Sequence, residues 1–347
     1  MSAAARKKLK KRIVKLKRAV LGRAAKKRVV KYSTLLILVG LSCLFLALSS
    51  IYKYLNQNYA WAVEKSSYPT GTGTVTMAYA VKDGERLNEI RYIIFDKSNQ
   101  RVFIYDMSPD MVFDVPGGFG YEKIGTLPLL ATLKGENSEE KLTELLRNTL
   151  LGIFSYNVDH YIVVQNKVSV EFNRFFIEGN SLKALNPAFI HDVRSSVSTD
   201  LTLKDLYEFS TLINGLPEDR VYKIAVDGSG AILEEMSDLS MDSVLARERK
   251  SIAVLNGTPL SGIAGRTAKI VENMGGSVIA VGNTVRKFET SSLIVDDLDS
   301  ASALFLKQVF GISVVESKDT TQLYDVSEVD RADMTLIIGV DIANKLY

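Results

Sequence analysis

The chain has 347 residues, of which 46% are hydrophobic and 24% are charged. This composition excludes a disordered chain and a membrane protein that crosses the bilayer many times. Residues 1–31 contain 14 Lys or Arg and no acidic residue, whereas the remaining 316 residues hold 29 basic and 40 acidic side chains, a net charge of −11. Because the bulk of the chain is acidic, a folded surface that coats nucleic acid is disfavoured.

Residues 1–31 form a basic tail. Within it Leu9, Ile13, Leu16 and Val20 recur at spacings of four, three and four among Lys and Arg, which predicts a basic amphipathic helix. Such a helix would lie on anionic lipid head groups, and a solvated signal that only orients the chain explains the same pattern equally well. The tail holds no aromatic residue to stack on bases, so lipid is favoured over nucleic acid.

Residues 32–52 contain no charge and are almost entirely apolar. A helix of this length rises about 31 Å, which matches a hydrocarbon core of about 30 Å. The segment therefore predicts a single transmembrane helix. Since the basic excess lies on its N-terminal side, the positive-inside rule places the tail in the cytoplasm and residues 53–347 outside.

A cleaved signal peptide is the alternative, because Ala60-Trp61-Ala62 has the form of a cleavage site. The basic region and the apolar run are both longer than such leaders, which favours an uncleaved anchor. Cys43 is the only cysteine and falls inside the predicted span, so the external part has no disulfide. That pattern indicates a bacterial cell membrane protein whose bulk is extracellular.

The external chain is predicted to contain two α/β domains after a polar stalk at residues 53–74. In the first domain, residues 75–230, the patterns predict three strands, then a helix, a fourth strand, a second helix and a final strand. The strands are expected at 75–81, 89–95, 101–107, 156–164 and 221–226, and the helices at about 138–152 and 202–215. A polar linker is expected at 231–250.

The second domain, residues 251–341, alternates strands with helices. Strands are expected at 252–255, 277–281, 292–295, 312–315 and 334–338, and helices at about 260–274 and 300–310. Asn256, Gly257 and Thr258 form a predicted turn, and Ser261 and Gly262 begin the helix after it. A helix start exposes backbone N–H groups that could bind an anion, but a role of Asn256 and Gly257 in shaping the turn alone is the favoured explanation.

Several short motifs run through the second domain. It opens with Ala253-Val254-Leu255-Asn256-Gly257-Thr258, continues with Ser261-Gly262-Ile263-Ala264 and Arg266-Thr267-Ala268, and closes with the stretch from Ala332 to Asp341. Over about 90 residues this pattern resembles the C-terminal domain of the LytR-CpsA-Psr group of bacterial envelope proteins. The resemblance implies no catalytic residue in this domain.

The first domain resembles a degenerate form of the catalytic domain of the same family. The family's Arg-x-Asp-Thr motif is matched by Arg86-Leu87-Asn88-Glu89, its Ser-Ile-Pro-Arg-Asp-Thr motif by Asp106-Met107-Ser108-Pro109-Asp110-Met111, and its Lys-Ile-Asn motif by Lys123-Ile124-Gly125. Family members transfer an anionic glycopolymer from a polyprenyl pyrophosphate carrier to peptidoglycan. Their arginines grip the diphosphate, and their carboxylates hold a divalent metal.

Two positions depart from that pattern. Asn88 stands where a metal-binding carboxylate is expected, and Pro109 stands where a phosphate-binding arginine is expected. The resemblance leaves Arg86 and Asp110 as candidate catalytic residues, with Asp110 as the remaining ligand for Mg²⁺ if the chain is active. Each of the two is explained equally well as an ordinary surface charge. The candidate substrate-binding residues are Arg86, Lys123, Arg174 and Arg194.

The sequence as a whole predicts a membrane-anchored cell-envelope protein with a non-catalytic binding or scaffolding role in cell-wall assembly. Its expected partners are the membrane, a polyprenyl-linked glycopolymer or peptidoglycan, and proteins that bind the C-terminal domain. One alternative is an active phosphotransferase, and another is a transcriptional regulator that acts through the basic tail. His160 is interpreted as a core or edge histidine.

Overall fold

The computed structural model describes residues 11, 15–16, 37–53, 74–133, 138–179, 186–226, 243–320 and 327–346. The chain divides into two compact units, Met1–Gln57 and Asn58–Tyr347. In the first unit, residues 37–53 are helical (α1), and residues 32–36 of the predicted span lie outside the described residues. None of the helices described combines the length and the apolar character needed to cross a membrane. The predicted stalk and most of the predicted tail helix also lie outside the described residues.

The second unit begins with a six-stranded mixed sheet. Its strand order is β7-β6-β1-β2-β3-β8. β2 runs antiparallel to both β1 and β3, β6 runs parallel to β1, and β8 runs parallel to β3. β7 lies antiparallel to β6 at one edge. The strands are β1 (Thr74–Asp83), β2 (Arg86–Asp96), β3 (Arg101–Met107), β6 (His160–Gln165), β7 (Val197–Thr199) and β8 (Val221–Val226).

Helices cover both faces of this sheet. One face packs under α2 (Leu127–Leu133) and α3 (Ser138–Phe154), whose Leu130 and Leu146 share a core with Tyr92. The other face packs under α4 (Asn166–Phe176), α5 (Pro187–Ser196) and α6 (Leu203–Gly215). Because β1 is covered from both sides, its first eight residues are all buried, and its sequence reads as an apolar run rather than as an alternation.

Several elements of this region were not predicted from the sequence. They are α2, α4, α5, β7 and a hairpin of β4 (Val112–Val115) and β5 (Gly120–Lys123). α4 is the instructive case, because its Phe172, Phe175 and Phe176 are aromatic residues that favour strands in isolation. They are buried at helical spacing against the sheet, so tertiary packing decides the conformation. The strand expected at 156–164 begins at His160.

A five-stranded sheet follows in the same unit. Its order is β10-β9-β13-β11-β12, in which β9 is parallel to both β10 and β13, and β11 is antiparallel to β13 and parallel to β12. The strands are β9 (Ser251–Asn256), β10 (Ser277–Asn283), β11 (Ser292–Val295), β12 (Val314–Ser317) and β13 (Met334–Ile338). All five expected strands are present, and the one expected at 312–315 is displaced by two residues.

Five helices accompany this sheet in the described residues. They are α7 (Val244–Glu248), α8 (Ile263–Asn273), α9 (Ala301–Phe310), α10 (Ser327–Arg331) and α11 (Val340–Leu346). α7 falls within the predicted linker, but its Leu245 is buried in the core of the second sheet. We refer to residues 74–226 as the first region and to residues 243–346 as the second region.

The core of the first region contains a cluster of stacked aromatic rings. Phe154, the last residue of α3, is fully buried, with its ring centroid 4.4 Å from that of Tyr92 and 5.2 Å from that of Tyr105. Truncation of such a side chain removes both the buried apolar surface and the ring contacts.

We therefore expect Phe154→Ala to lower the free energy of unfolding by about 3–5 kcal/mol, because a large cavity opens under the sheet. Leu133→Ala is the matched control, since Leu133 is 70% exposed and its truncation should cost less than about 0.5 kcal/mol. Urea denaturation of the full chain measures both. Equal losses for the two variants would show that the Phe154 site collapses around the truncated side chain.

Candidate functional site

The first candidate site is an exposed group of three charged side chains, Arg86, Asp110 and Lys123. The Lys123 Nζ donates to Asp110 Oδ1 at 3.0 Å, and the Arg86 Nη2 lies 3.5 Å from the same oxygen. Between 52% and 65% of each side chain is exposed. The structure therefore brings together three of the candidate residues, which lie far apart in the sequence.

Backbone contacts hold Asp110 in this position. The Gly125 N–H donates to the Pro109 carbonyl at 2.8 Å, and the Ile124 N–H donates to the Met111 carbonyl at 2.9 Å. A Cβ at Gly125 would lie 2.7 Å from the Pro109 carbonyl oxygen, so the close approach requires glycine. The loop that carries Asp110 is thus pinned to the segment that follows Lys123.

Electrostatics keep Asp110 ionised. The hydrogen bond and the charge of Lys123, together with the charge of Arg86, hold the pKa of the Asp110 carboxyl below its usual range. Both cations contact the same carboxylate oxygen, Oδ1. Within the described residues, no group of three or more His, Cys, Asp or Glu is arranged to hold a metal ion.

A second polar group surrounds Asn88. This residue forms a bulge in β2, since Val81 pairs with Glu89 and Lys82 pairs with Leu87. Its side-chain Nδ2 donates to Asp83 Oδ2 at 3.3 Å, and the Nδ2 of Asn166 donates to the same oxygen at 3.0 Å. One carboxylate oxygen therefore accepts hydrogen bonds from two neutral amides. A single carboxylate with amide neighbours is expected to bind Mg²⁺ only weakly.

The other predicted arginines lie on helices of the first region. Arg174 lies on α4 and pairs with Glu171, one turn earlier, at 3.2 Å. Arg194 is exposed in the last turn of α5. Neither forms a hydrogen bond or an ion pair with Arg86, Asp110 or Lys123, so the structure does not assemble the four candidate substrate-binding residues through direct contacts.

The turn at Asn256 uses its polar atoms internally. The Asn256 Oδ1 accepts from the Thr258 N–H at 2.9 Å and from its hydroxyl at 2.7 Å, while the Asn256 Nδ2 donates to the Leu260 carbonyl at 2.7 Å. Asn256 and Thr258 are 4% and 1% exposed. This geometry favours a structural role for both side chains.

Glycines complete the same turn. The Gly257 N–H donates to the Ile338 carbonyl at 2.8 Å, and a Cβ at Gly257 would lie 2.9 Å from that oxygen. Gly262 caps α8 in the left-handed region, at φ +81°. Ser261, just before it, is exposed and forms no side-chain cap of the helix. The turn is therefore built to seat β9 against β13.

Sequence analysis missed a polar network centred on Arg91. The Arg91 Nε donates to Asp106 Oδ1 at 2.6 Å, and its Nη2 lies 3.3 Å from Glu89 Oε2. The guanidinium also lies 5.5 Å from the ring centroid of the buried Tyr79, whose hydroxyl donates to Asn173 Oδ1 at 2.6 Å. Arg91 thereby joins the last residue of the first family-like motif to the first residue of the second.

The signal for this network is the strand register. Arg91 pairs directly with Asp106 across β2 and β3, so opposite charges face each other at adjacent positions. The sequence indicates the two strands but not their exact alignment, and the pairing becomes visible only once the register is known.

His160 is a buried histidine, as the sequence suggests. It is 6% exposed, and its Nδ1 lies 3.1 Å from Asp200 Oδ2, while Asp200 Oδ1 accepts from the Tyr161 N–H at 3.1 Å. The pair fixes β6 against the turn after β7. Burial lowers the pKa of His160, but the hydrogen bond to Asp200 and the surrounding carboxylate charges raise the pKa above its ordinary value overall.

The C-terminal residues match a known family. The family model described as LytR cell envelope-related transcriptional attenuator matches residues 249–341. The resemblance of these residues to the C-terminal domain of the LytR-CpsA-Psr group is therefore confirmed. No curated protein matches the chain.

Solved structures of distant similarity cover about half of the chain. TagT of Bacillus subtilis is 16% identical, covers 50% of this chain and 85% of its own, and has a TM-score of 0.32. TagV of Bacillus subtilis is 11% identical over 46% of this chain and 87% of its own, with a TM-score of 0.32. A LytR-CPS2A-psr family protein, YwtF (TagT) with bound octaprenyl pyrophosphate lipid, is 15% identical over 51% and 88%, with a TM-score of 0.31.

The His160–Asp200 pair gives the stability of the fold a pH dependence. Because folding raises the pKa of His160, the stabilisation is fully present below about pH 6.5, the ordinary histidine value, and is lost as the pH rises through the folded value. We expect the excess stability of the wild-type chain over His160→Gln to be larger at about pH 5.5 than at about pH 9.

Denaturant unfolding of both full-length chains across this range measures the difference directly. His191→Gln is the matched control, because His191 is exposed. A difference between wild type and His160→Gln that does not vary with pH would contradict the assignment of a charged pair.

Proposed function

We propose that the chain is a single-pass, membrane-anchored protein of the bacterial cell envelope that binds or scaffolds components of cell-wall assembly and does not transfer phosphate. Residues 32–52 would form the anchor, with the basic tail in the cytoplasm and the two α/β regions outside. The uncharged run and the basic residues before it support this orientation. A polyprenyl-linked glycopolymer or peptidoglycan is the proposed ligand class, and the second region is the proposed contact for protein partners.

The observation that carries the non-catalytic role is the state of the Asp110 site. In an active member of the family, a carboxylate here would help to hold a metal, and an arginine would grip the diphosphate. In this chain Lys123 and Arg86 both pair with Asp110, and Pro109 offers no donor at the arginine position. A metal at Asp110 would compete with two cations for the carboxylate, and a diphosphate would compete with the carboxylate for Arg86.

Packing of the first region bears on how such a ligand would be held. Stacked aromatic rings occupy part of each face of the sheet in the described residues. Phe154 stacks on Tyr92 on one face, and Phe172 stacks on Tyr79 on the other with its ring centroid at 6.4 Å. All four side chains are fully buried.

An active phosphotransferase is the second candidate, because the structure does bring Arg86, Asp110 and Lys123 to one place. Under this function, Asp110→Ala would abolish the metal-dependent release of polyprenyl phosphate. Under the proposed binding function, the wild type and the variant show the same background rate of that release.

Calorimetric titration of the full chain with a short-chain polyprenyl diphosphate, with and without Mg²⁺, separates the two. We expect no Mg²⁺-dependent binding and, in a parallel assay with a polyprenyl pyrophosphate that carries a glycan and with peptidoglycan as acceptor, no release of polyprenyl phosphate. Tight binding that requires Mg²⁺, or turnover that Asp110→Ala removes, would overturn the non-catalytic role.

Restoring the missing groups tests the cause of the inactivity. Asn88→Asp places a second carboxylate beside Asp83, and Pro109→Arg adds a guanidinium beside Asp110, so we expect the double variant to gain Mg²⁺-dependent binding of the diphosphate. Asn283→Asp, the same change at an exposed position of β10, is the control and should gain nothing. If the double variant binds no better than the control, the two substitutions do not explain the lost site.

A further inference from the structure

The edge of the second sheet at β10 is open and carries no charge. β10 pairs only with β9 among the described strands, and its seven residues, Ser-Val-Ile-Ala-Val-Gly-Asn, contain neither a charged residue nor proline. Exposure alternates along the strand, so that Ile279 and Val281 are 52% and 53% exposed. Such an edge offers unpaired backbone groups and apolar side chains to another strand.

The other edges of the two larger sheets are protected. β7 has three residues and β12 has four, and both are too short to template a partner strand. β8 has six residues but carries the exposed Lys223. Protection by short length or by charge is the usual device against edge-to-edge pairing, and β10 alone combines length with neutrality.

The strand is complementary to itself. If two copies of β10 pair in antiparallel fashion about a two-fold axis at Ala280, Ile279 of each copy lies opposite Val281 of the other. Ser277 then lies opposite Asn283, which matches polar with polar. The four exposed apolar side chains of the two copies would form one cluster on a single face, and no like charges would meet.

We propose that β10 is a pairing surface for a second copy of the chain, joining two five-stranded sheets into one ten-stranded sheet. This interaction goes beyond the proposed function and does not depend on it. The bulge between Val278 and Ala280 lies in the β9 pairing and increases the local twist at Ile279, which the pair of strands has to accommodate.

Cysteine cross-linking tests the proposed register. In full-length chains carrying Cys43→Ser, one sample carries Ile279→Cys and a second carries Val281→Cys. Directly opposed Cα atoms of antiparallel strands lie about 4.5–5.5 Å apart, within the range for a disulfide, whereas diagonal neighbours lie about 7–8 Å apart. We expect mild oxidation by dissolved oxygen with a copper catalyst to cross-link the mixed sample about tenfold faster than either sample alone.

Charge on the edge supplies a second, independent measurement. Ile279→Lys and Val281→Lys should each raise the dimer dissociation constant of the full chain at least about tenfold, measured by sedimentation in density-matched detergent micelles. Leu304→Lys is the matched control, since Leu304 is 54% exposed on α9 and should leave the constant unchanged.

Equal cross-linking rates in the mixed and separate samples would overturn the proposal, because they would indicate random collision. Lys variants that associate as the control does would overturn it as well. In either case, the partner of the β10 edge would instead be an extended segment of another protein.

Discussion

Helix α3 is buried from two sides, and the second unit depends on this double burial. Its Leu142, Leu146 and Leu150 lie in the core of the first region, while Leu151, the very next residue, is 4% exposed and belongs to the core of the second region. A helix whose neighbouring residues face opposite cores cannot be released from one sheet without exposing apolar surface on the other. The stability of each region is thereby coupled to the other through a single helix.

Polar contacts border this apolar join. The Asn148 Nδ2 donates to the Lys345 carbonyl at 3.1 Å, and Arg266 of the second region lies 3.8 Å from Asp114 of the hairpin. A cleft of about 290 Å³ opens beside them, lined by α3, α9 and the end of α11. Because exposed ion pairs contribute little, the position of the second region is set mainly by Leu151 and the surrounding apolar core.

The sequence predicts the parts of the fold that have strong local patterns and misses those that packing decides. The strands of both sheets other than β7, together with α3, α6 and α8, follow from apolar periodicity, caps and turn residues. α6 begins with a capping box in which Thr202 and Asp205 bond to each other's backbone, a local signal that needs no tertiary context. α4 has no such signal, since Phe172, Phe175 and Phe176 become helical only because the sheet offers them a surface.

The same distinction applies to the candidate site. The family resemblance singled out Arg86, Asp110 and Lys123 as candidates, and the fold brings the three together. It could not reveal that both cations contact one carboxylate oxygen, nor that Arg91 ties the two motif strands together, because both facts depend on register and side-chain geometry. Arg174 and Arg194, chosen without a motif, do not join the group.

The two sheets differ in whether their edge strands can pair with a further strand. In the first sheet, one edge strand has three residues and the other is interrupted by Lys223, so the region ends in surfaces that repel further strands. In the second sheet, β12 is short and continues into a turn of 3₁₀ helix, but β10 keeps seven neutral residues. Nothing in the packing of the second core requires Ile279 and Val281 to be apolar, because both are half exposed. A neutral apolar edge that does not serve the fold is the kind of surface that an interaction would use.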